Sequence, residues 1–282
     1  MSVVISGASG QLARGVIEAL LETVDPAELI LVTRTPDKVD VPGAQVRHGD
    51  WEQPETLKTA FAGGEKLLLI SGHKVGDRVP GHKAAIDAAV AAGVRHIAYT
   101  SIVNPSDSNP IAVAAEHRAT EEHLRASGAA WTMLRNSIYA DLQVNAMQAA
   151  LATGRHVTNA GDGRTSYVAR EDCARAAAAV LASDGHDGRE YDITGPEARS
   201  PQELVQLFSE VGGKPVELVL VDDEAYARGL VENAGFPEPV ARVYATFGTG
   251  ARLGYSAPVS TTFKELTERE PRTLRSVLEA AA

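Results

Sequence analysis

A doubly wound α/β fold, a parallel sheet with helices on both faces, is what three features of this chain predict. The first is a β-branched run at residues 3–6 that ends in glycine and passes straight into a helical pattern of Leu12, Val16, Ile17, Leu20 and Leu21. The second is the alternation of short apolar runs with helical stretches that continues to residue 139. The third is Lys66-Leu67-Leu68-Leu69-Ile70, almost wholly apolar, as a central parallel strand buried on both faces must be. The expected architecture is a Rossmann-type sheet domain over residues 1–151, with 170–195 returning to it. A smaller C-terminal α/β lobe is expected over 196–282, together with the loop 152–169.

Composition narrows the function classes. At 282 residues the chain can hold one large α/β domain with a companion, and 44% apolar against 23% charged residues is ordinary for a globular enzyme. No low-complexity run, fixed-period repeat or bilayer-length apolar stretch interrupts it. Met1-Ser2-Val3 enters a strand at once, without a basic region or cleavage site, so secretion is not expected. Cys173 is the one cysteine, which excludes an intramolecular disulfide and fits a reducing cytoplasm. With 37 acidic and 27 basic side chains the net charge is -10 and no basic cluster stands out, so nucleic acid is not an expected partner. The eight histidines are scattered, and His117 and His123 face different sides of one predicted helix, so no metal site is expected.

The opening element is the most specific. Gly7-Ala8-Ser9-Gly10-Gln11-Leu12-Ala13 has the spacing Gly-x-x-Gly-x-x-Ala between a strand and a helix. Gly7 lets the chain turn sharply, Gly10 lets backbone N–H groups approach a ligand, and Ala13 is small enough for helix to pack on strand. Unpaired N–H groups and the helix dipole favour anions, so a pyrophosphate is the ligand expected there. The alternative is a strand–helix turn that binds nothing.

A second β-branched run at 29–32 is followed by Thr33-Arg34-Thr35-Pro36-Asp37-Lys38. A dinucleotide fold meets the adenosine ribose here, where a carboxylate suits a free 2′-hydroxyl and a 2′-phosphate needs positive charge. Arg34 therefore points to NADPH, the alternative being a solvated loop charge. Residues 44–48 read as the third strand and 54–61 as a helix; Asp50, between them, either accepts from an adenine amino group or closes an Asx turn or N-cap. The run 66–70 leads to Ser71-Gly72-His73 at the crevice where strand order should reverse. Gly72 permits close approach of a cofactor, and His73 either touches a ribose or phosphate or faces solvent. A helix at 81–92 leads into a strand at 95–99, which ends in Thr100-Ser101, two hydroxyls where nicotinamide and substrate should meet. The next helix has Asn109 as N-cap, Pro110 in its first turn and Gly128 as stop. A strand at 130–134 runs into Arg135-Asn136-Ser137-Ile138-Tyr139, after which the alternation loosens. Residues 160–167 read as a turn or hairpin loop whose polar tip is a candidate lip over a pocket. Beyond it come a helix at 172–181, a strand at 190–194, a Ser200-capped helix at 201–211, a strand at 216–221, and helices near 224–234, 239–246, 262–268 and 272–281.

Taken in order, Gly7 to Ala13, Thr33 to Lys38, Gly49-Asp50, Leu68 to Ser71, Ala98 to Ser101, Glu116-His117-x-x-Thr120-Glu121, Leu134 to Asn136 and Ala160 to Gly163 resemble the NmrA-like atypical short-chain dehydrogenase/reductases. Within them the likeness is strongest to the type 2 NADPH:quinone oxidoreductases and triphenylmethane reductases. The resemblance implies an NADPH-binding main domain, a C-terminal substrate lobe, and hydride transfer to a quinone or similarly conjugated small molecule. It assigns Gly7, Ser9, Gly10, Gln11 and Leu12 to the pyrophosphate turn, Arg34 and Lys38 to the 2′-phosphate, and Asp50 to the adenine. Ser71 and Gly72 fall to the middle of the cofactor, Thr100 and Asn136 to the nicotinamide side, and Tyr139 with the loop from Arg164 to Tyr167 to the acceptor pocket, whereas His73-Lys74 departs from the small or acidic residues the resemblance leads one to expect after the fourth strand. His117 stands where short-chain reductases carry their catalytic lysine, either as a proton donor or as a packing residue. Four residues earlier is Val113, and none of the seven tyrosines has a lysine four residues on. The missing acid suits an electron-poor conjugated acceptor, since a simple ketone would leave an alkoxide. It also suits a non-catalytic NmrA-like redox sensor that binds NADP(H) and regulates a partner, or a reductase of another conjugated substrate in a biosynthetic pathway. A sugar-nucleotide epimerase is disfavoured, because it needs the Tyr-x-x-x-Lys pair. A homodimer is compatible with the sequence, which fixes no oligomeric state.

Overall fold

The computed structural model describes residues 1–72 and 74–282. Seven parallel strands form the main sheet in the order β3-β2-β1-β4-β5-β6-β8: β1 (Val3–Ser6), β2 (Leu29–Thr33), β3 (Gln45–His48), β4 (Lys66–Leu69), β5 (His96–Ile102), β6 (Ala130–Asn136) and β8 (Arg189–Ile193). Successive side chains of a strand point to opposite faces, and β1 divides accordingly: Val3 and Ile5 join one core cluster, Val4 the other. On the first face lie α1 (Gln11–Leu20) and α6 (Arg170–Ala182). They approach so closely that a Cβ on Gly15 would sit 3.0 Å from that of Ala174. Ala13 is fully buried there, as its small side chain requires. The second face carries α2 (Leu57–Phe61), α3 (Val79–Ala91) and α4 (Ala112–Ala126), around Phe61, Ile86, Tyr99 and Leu124.

The strand order reverses between β1, whose chain moves on to β2, and its other neighbour β4. Their carboxyl ends therefore border the crevice in which an open α/β sheet binds ligands. Return of β8 to the main sheet places residues 189–193 beside β6, within the stretch expected to come back.

Within residues 139–169 lie two elements for which sequence reading carried no specific expectation, α5 (Asp141–Thr153) and β7 (Arg155–Thr158). The loop at 160–167 closes a turn, Gly163 N donating to Ala160 O at 2.8 Å, but no hairpin. Instead β7 pairs in parallel with β9 (Glu217–Leu220), reached through α6, β8 and α7 (Pro201–Gly212). A capping box on Ser200 opens α7: its hydroxyl accepts from Glu203 N while Glu203 accepts from Ser200 N. The side chains of α5 form a separate core with α7 and with α11 (Leu274–Glu279), and residue 151 falls inside α5. α8 (Asp223–Ala234), α9 (Glu238–Arg252) and α10 (Thr262–Thr267) complete the chain. No described helix is long and apolar enough to cross a membrane.

Asn109 is not the N-cap of α4. Its Oδ1 accepts from Ile111 N at 3.0 Å and its Nδ2 donates to Asn104 O at 2.7 Å, an Asx turn that delivers Pro110 and extended Ile111 to a helix starting at Ala112. Glu121 of α4 is 1% exposed and ties three elements: Ser101 Oγ donates to its Oε1 at 2.6 Å, and Arg135 Nε and Nη2 donate to Oε1 and Oε2 at 3.0 and 2.7 Å.

Candidate functional site

The turn after β1 leaves backbone donors at the head of α1. Gly7 sits at φ +78°, a left-handed conformation that disfavours other residues, and its N–H donates to Val32 O at 2.9 Å. Gly10 N–H is spent inside the turn on Gly7 O, at 2.9 Å. The groups left without partners among the described residues are the N–H groups of Gln11, Leu12 and Ala13, at the head of a helix with no side-chain cap. They present three donors and the positive end of the helix dipole to the crevice. Ser9 Oγ and Thr33 Oγ1 lie 2.9 Å apart and lock this turn to the end of β2.

Arg34 and Lys38 follow β2, both exposed, and neither makes an ion pair among the described residues. Asp50 takes the turn-closing alternative: its Oδ1 accepts from Glu52 N at 3.0 Å and its own N–H donates to Thr56 Oγ1 at 3.0 Å. The next residue, Trp51, reaches across to Ser6, its Nε1 donating to Oγ at 3.2 Å. His73 lies outside the described residues.

At the middle of the crevice Ser71 N donates to Thr100 Oγ1 at 2.9 Å, so the buried threonine fixes the exit from β4 while keeping its own hydroxyl hydrogen. Asn136 ends β6 and is 5% exposed; its Nδ2 makes a long contact of 3.5 Å with the Tyr139 hydroxyl. Its Oδ1 is buried without a partner among the described residues. A buried amide oxygen left bare is costly unless a ligand donor satisfies it, and the carboxamide N–H₂ of a nicotinamide is such a donor. Tyr139 is partly buried under the Arg170 guanidinium, 5.2 Å from the ring centre, and burial pushes its phenol up. Arg164 is tied to the chain around α7: its Nη2 donates to Ala198 O at 2.6 Å and pairs with Glu203.

His117 takes the packing alternative. It is 5% exposed, and its Nδ1 lies 2.8 Å from the hydroxyl of the wholly buried Tyr99. Burial, then the nearby Arg78 charge, holds its imidazole far below the usual histidine range, and burial raises the Tyr99 phenol. The pair is neutral and mutually satisfied at physiological pH. Sequence reading missed Tyr99 and the side chains around it: His82, whose imidazole burial and Arg78 push down to about 3, Thr120, Arg78 and Glu116. The available signal was spacing, since Arg78 and His82, like Glu116 and Thr120, are four apart and share a helix face.

A parallel sheet with its crevice at the strand-order reversal, a glycine turn feeding a bare helix N-terminus and a free arginine after β2 together define a Rossmann-type dinucleotide-binding protein. The chain belongs to the NAD(P)H-binding family, whose model matches residues 7–184. It is 37% identical over 275 residues to quinone oxidoreductase 2 of Escherichia coli (strain K12), covering 96% of each chain. Among solved structures it is similar to the NADPH-dependent quinone oxidoreductase of Escherichia coli complexed with NADPH, with a TM-score of 0.95, 36% identity and 99% of each chain covered. It is also similar to the Citrobacter sp. triphenylmethane reductase complexed with NADP(H), with a TM-score of 0.93, 36% identity and 100% of each chain covered.

Proposed function

We propose that this chain is an NADPH-dependent oxidoreductase that reduces a quinone or a similarly conjugated, electron-poor small molecule. The observation that carries the reading is the state of His117: the residue at the expected acid–base position is a neutral imidazole already bonded to Tyr99. Hydride addition to a simple ketone leaves an alkoxide, which needs an acid poised beside it. A quinone instead gives a hydroquinone anion with delocalised charge, and solvent water, directly or relayed through the Thr100 hydroxyl, can complete its protonation. When bound, the reduced nicotinamide supplies the hydride. The N–H groups of Gln11, Leu12 and Ala13 would hold the pyrophosphate, Arg34 with Lys38 the 2′-phosphate, and Asn136 Oδ1 the carboxamide. Their contribution is to orient two partners and exclude competing geometries, so catalysis rests on proximity.

The smaller lobe is the natural cover for the acceptor. Val243 and Phe247 of α9 pack against the cluster of Ile102, Val103, Ile111, Val113 and Ala114, whose first two members lie at and just past the end of β5, close in sequence to Thr100. A reducing compartment such as the cytoplasm is inferred from the single cysteine, which is buried.

Two outcomes follow from the site. Asn136→Leu removes an orphaned buried acceptor while keeping the number and branching of side-chain heavy atoms. The cofactor-free protein is expected to gain about 1 kcal/mol of stability, read by denaturant unfolding, while turnover per NADPH falls about tenfold. Turnover with a quinone is expected to be flat between about pH 6 and 8, since no imidazole in the network titrates there. An inflection near neutrality that disappears in His117→Gln would make His117 the acid. The reading as a whole is tested by NADPH oxidation with and without p-benzoquinone, with NADH run beside it. Quinone-dependent consumption that prefers NADPH supports it; tight NADPH binding with no consumption by quinones, triphenylmethane dyes or enones supports the sensor.

A further inference from the structure

The loop leaving β4 is gripped by buried side chains that the reaction above does not use. Gly72 N donates to His82 Nε2 at 3.0 Å, and Gly72 O accepts from Arg78 Nη1 at 3.1 Å. One residue thus has both of its backbone polar groups held by side chains at the start of α3. Those side chains are themselves anchored on α4. Arg78 Nε donates to Glu116 Oε2 at 3.0 Å, while Glu116 Oε1 accepts from Gly76 N at 3.0 Å and stitches the loop at a second point. His82 Nδ1 lies 3.0 Å from Thr120 Oγ1, whose hydroxyl donates to Glu116 O at 2.9 Å. That donation leaves Thr120 Oγ1 as an acceptor, so His82 carries its hydrogen on Nδ1 and turns a bare Nε2 to Gly72. Trp51 closes the far side: a Cβ on Gly72 or Gly81 would lie 3.0 or 3.2 Å from its side chain.

A glycine-containing loop beside a ligand crevice ordinarily loses affinity to the cost of ordering it on binding. Here the ordering is done in the folded protein. We propose that Arg78 and His82 are positioning residues for the cofactor: by holding both polar groups of Gly72 they fix the chain at Gly72, where it leaves β4, in its binding conformation before the dinucleotide arrives. Neither residue touches the ligand; both act through Gly72. The proposal rests on the crevice being the NADPH site.

The test compares His82→Leu, His82→Gln and Arg78→Lys by NADPH titration, followed through the intrinsic fluorescence of Trp51 and Trp131, and by steady-state kinetics with a quinone. His82→Leu, which fills the space without accepting from Gly72, is expected to weaken NADPH binding and raise its KM about tenfold, with kcat at saturation within about twofold. His82→Gln, whose amide oxygen can accept from Gly72 N, is expected to recover most of that loss. Arg78→Lys, which cannot span Gly72 O and Glu116 together, gives the same KM effect and keeps the test available should His82→Leu fail to fold. Unchanged NADPH affinity in the folded variants overturns the proposal, as does an equal loss in His82→Leu and His82→Gln that tracks only their melting temperatures. Failure of the wild-type protein to bind NADPH overturns the crevice reading and this inference with it; wild-type binding with indifferent variants overturns this inference alone.

Discussion

Arg34→Glu is expected to lower NADPH affinity by about tenfold to a hundredfold and to shift preference towards NADH. The guanidinium stands just past β2, exposed and without an ion-pair partner among the described residues, so its charge is available to a ligand. A carboxylate there repels a 2′-phosphate and accepts from a 2′-hydroxyl, which is why the effect on the two cofactors has opposite signs. Arg34→Ala separates the two contributions, losing attraction without adding repulsion, and should fall between. Because the side chain is exposed, the melting temperature should hardly move. An unchanged NADPH/NADH ratio of kcat/KM in Arg34→Glu would remove the 2′-phosphate from this loop.

The largest stability effect is expected at Glu121. Its carboxylate accepts from Ser101, Arg135 and Arg125, and Arg125 and Arg135 also pair with Glu190, so one buried group joins α4, β5, β6 and β8. Glu121→Ala strips that partner from two guanidinium groups and is expected to cost about 3 kcal/mol, the scale of breaking a buried pair from one side. In a domain of this size that corresponds to a melting temperature lower by about 6–10 °C. Burial alone would raise the Glu121 carboxyl, but hydrogen bonds from Arg135 and Ser101 outweigh it and hold the group below its ordinary value. A depressed carboxylate contributes stability that is full above the unfolded-state pKa and lost as pH falls through the folded-state value. The wild type should therefore lose stability more steeply than Glu121→Gln on acidification below about pH 4.5. Parallel acid unfolding curves for the two would mean that the ion pairs contribute nothing measurable.

The main sheet was legible because a parallel strand buried on both faces leaves an apolar run, as Leu67 to Leu69 do, and because Gly7 and Gly10 punctuate the first turn. The stretch from Asp141 to Thr158 was not, for a physical reason: α5 buries only Met147 and Ala150 fully, so its apolar residues draw no clean stripe, and β7 shows an alternating half-buried pattern over four residues. Gly154 at φ +73°, ending α5, was the usable signal. Candidate residues on the backbone of the crevice were accessible from spacing and position. Asp50 and His117 were less accessible, because each has a local bonding alternative, and the partners in that alternative, Glu52 N and Tyr99 OH, come into view only with the fold. The Gly72 grip escaped notice because its residues come from three separate segments and look like ordinary helix surface in sequence.

The most direct test of the central claim is a single-turnover experiment: enzyme preloaded with NADPH, mixed with p-benzoquinone, and followed by loss of the nicotinamide absorbance, with NADPH deuterated at the transferred position in parallel. The account predicts rapid oxidation of the bound cofactor, slower with deuterium, at a rate that stays level between about pH 6 and 8. Bound NADPH that survives mixing with quinone would contradict it and leave a dinucleotide sensor in its place.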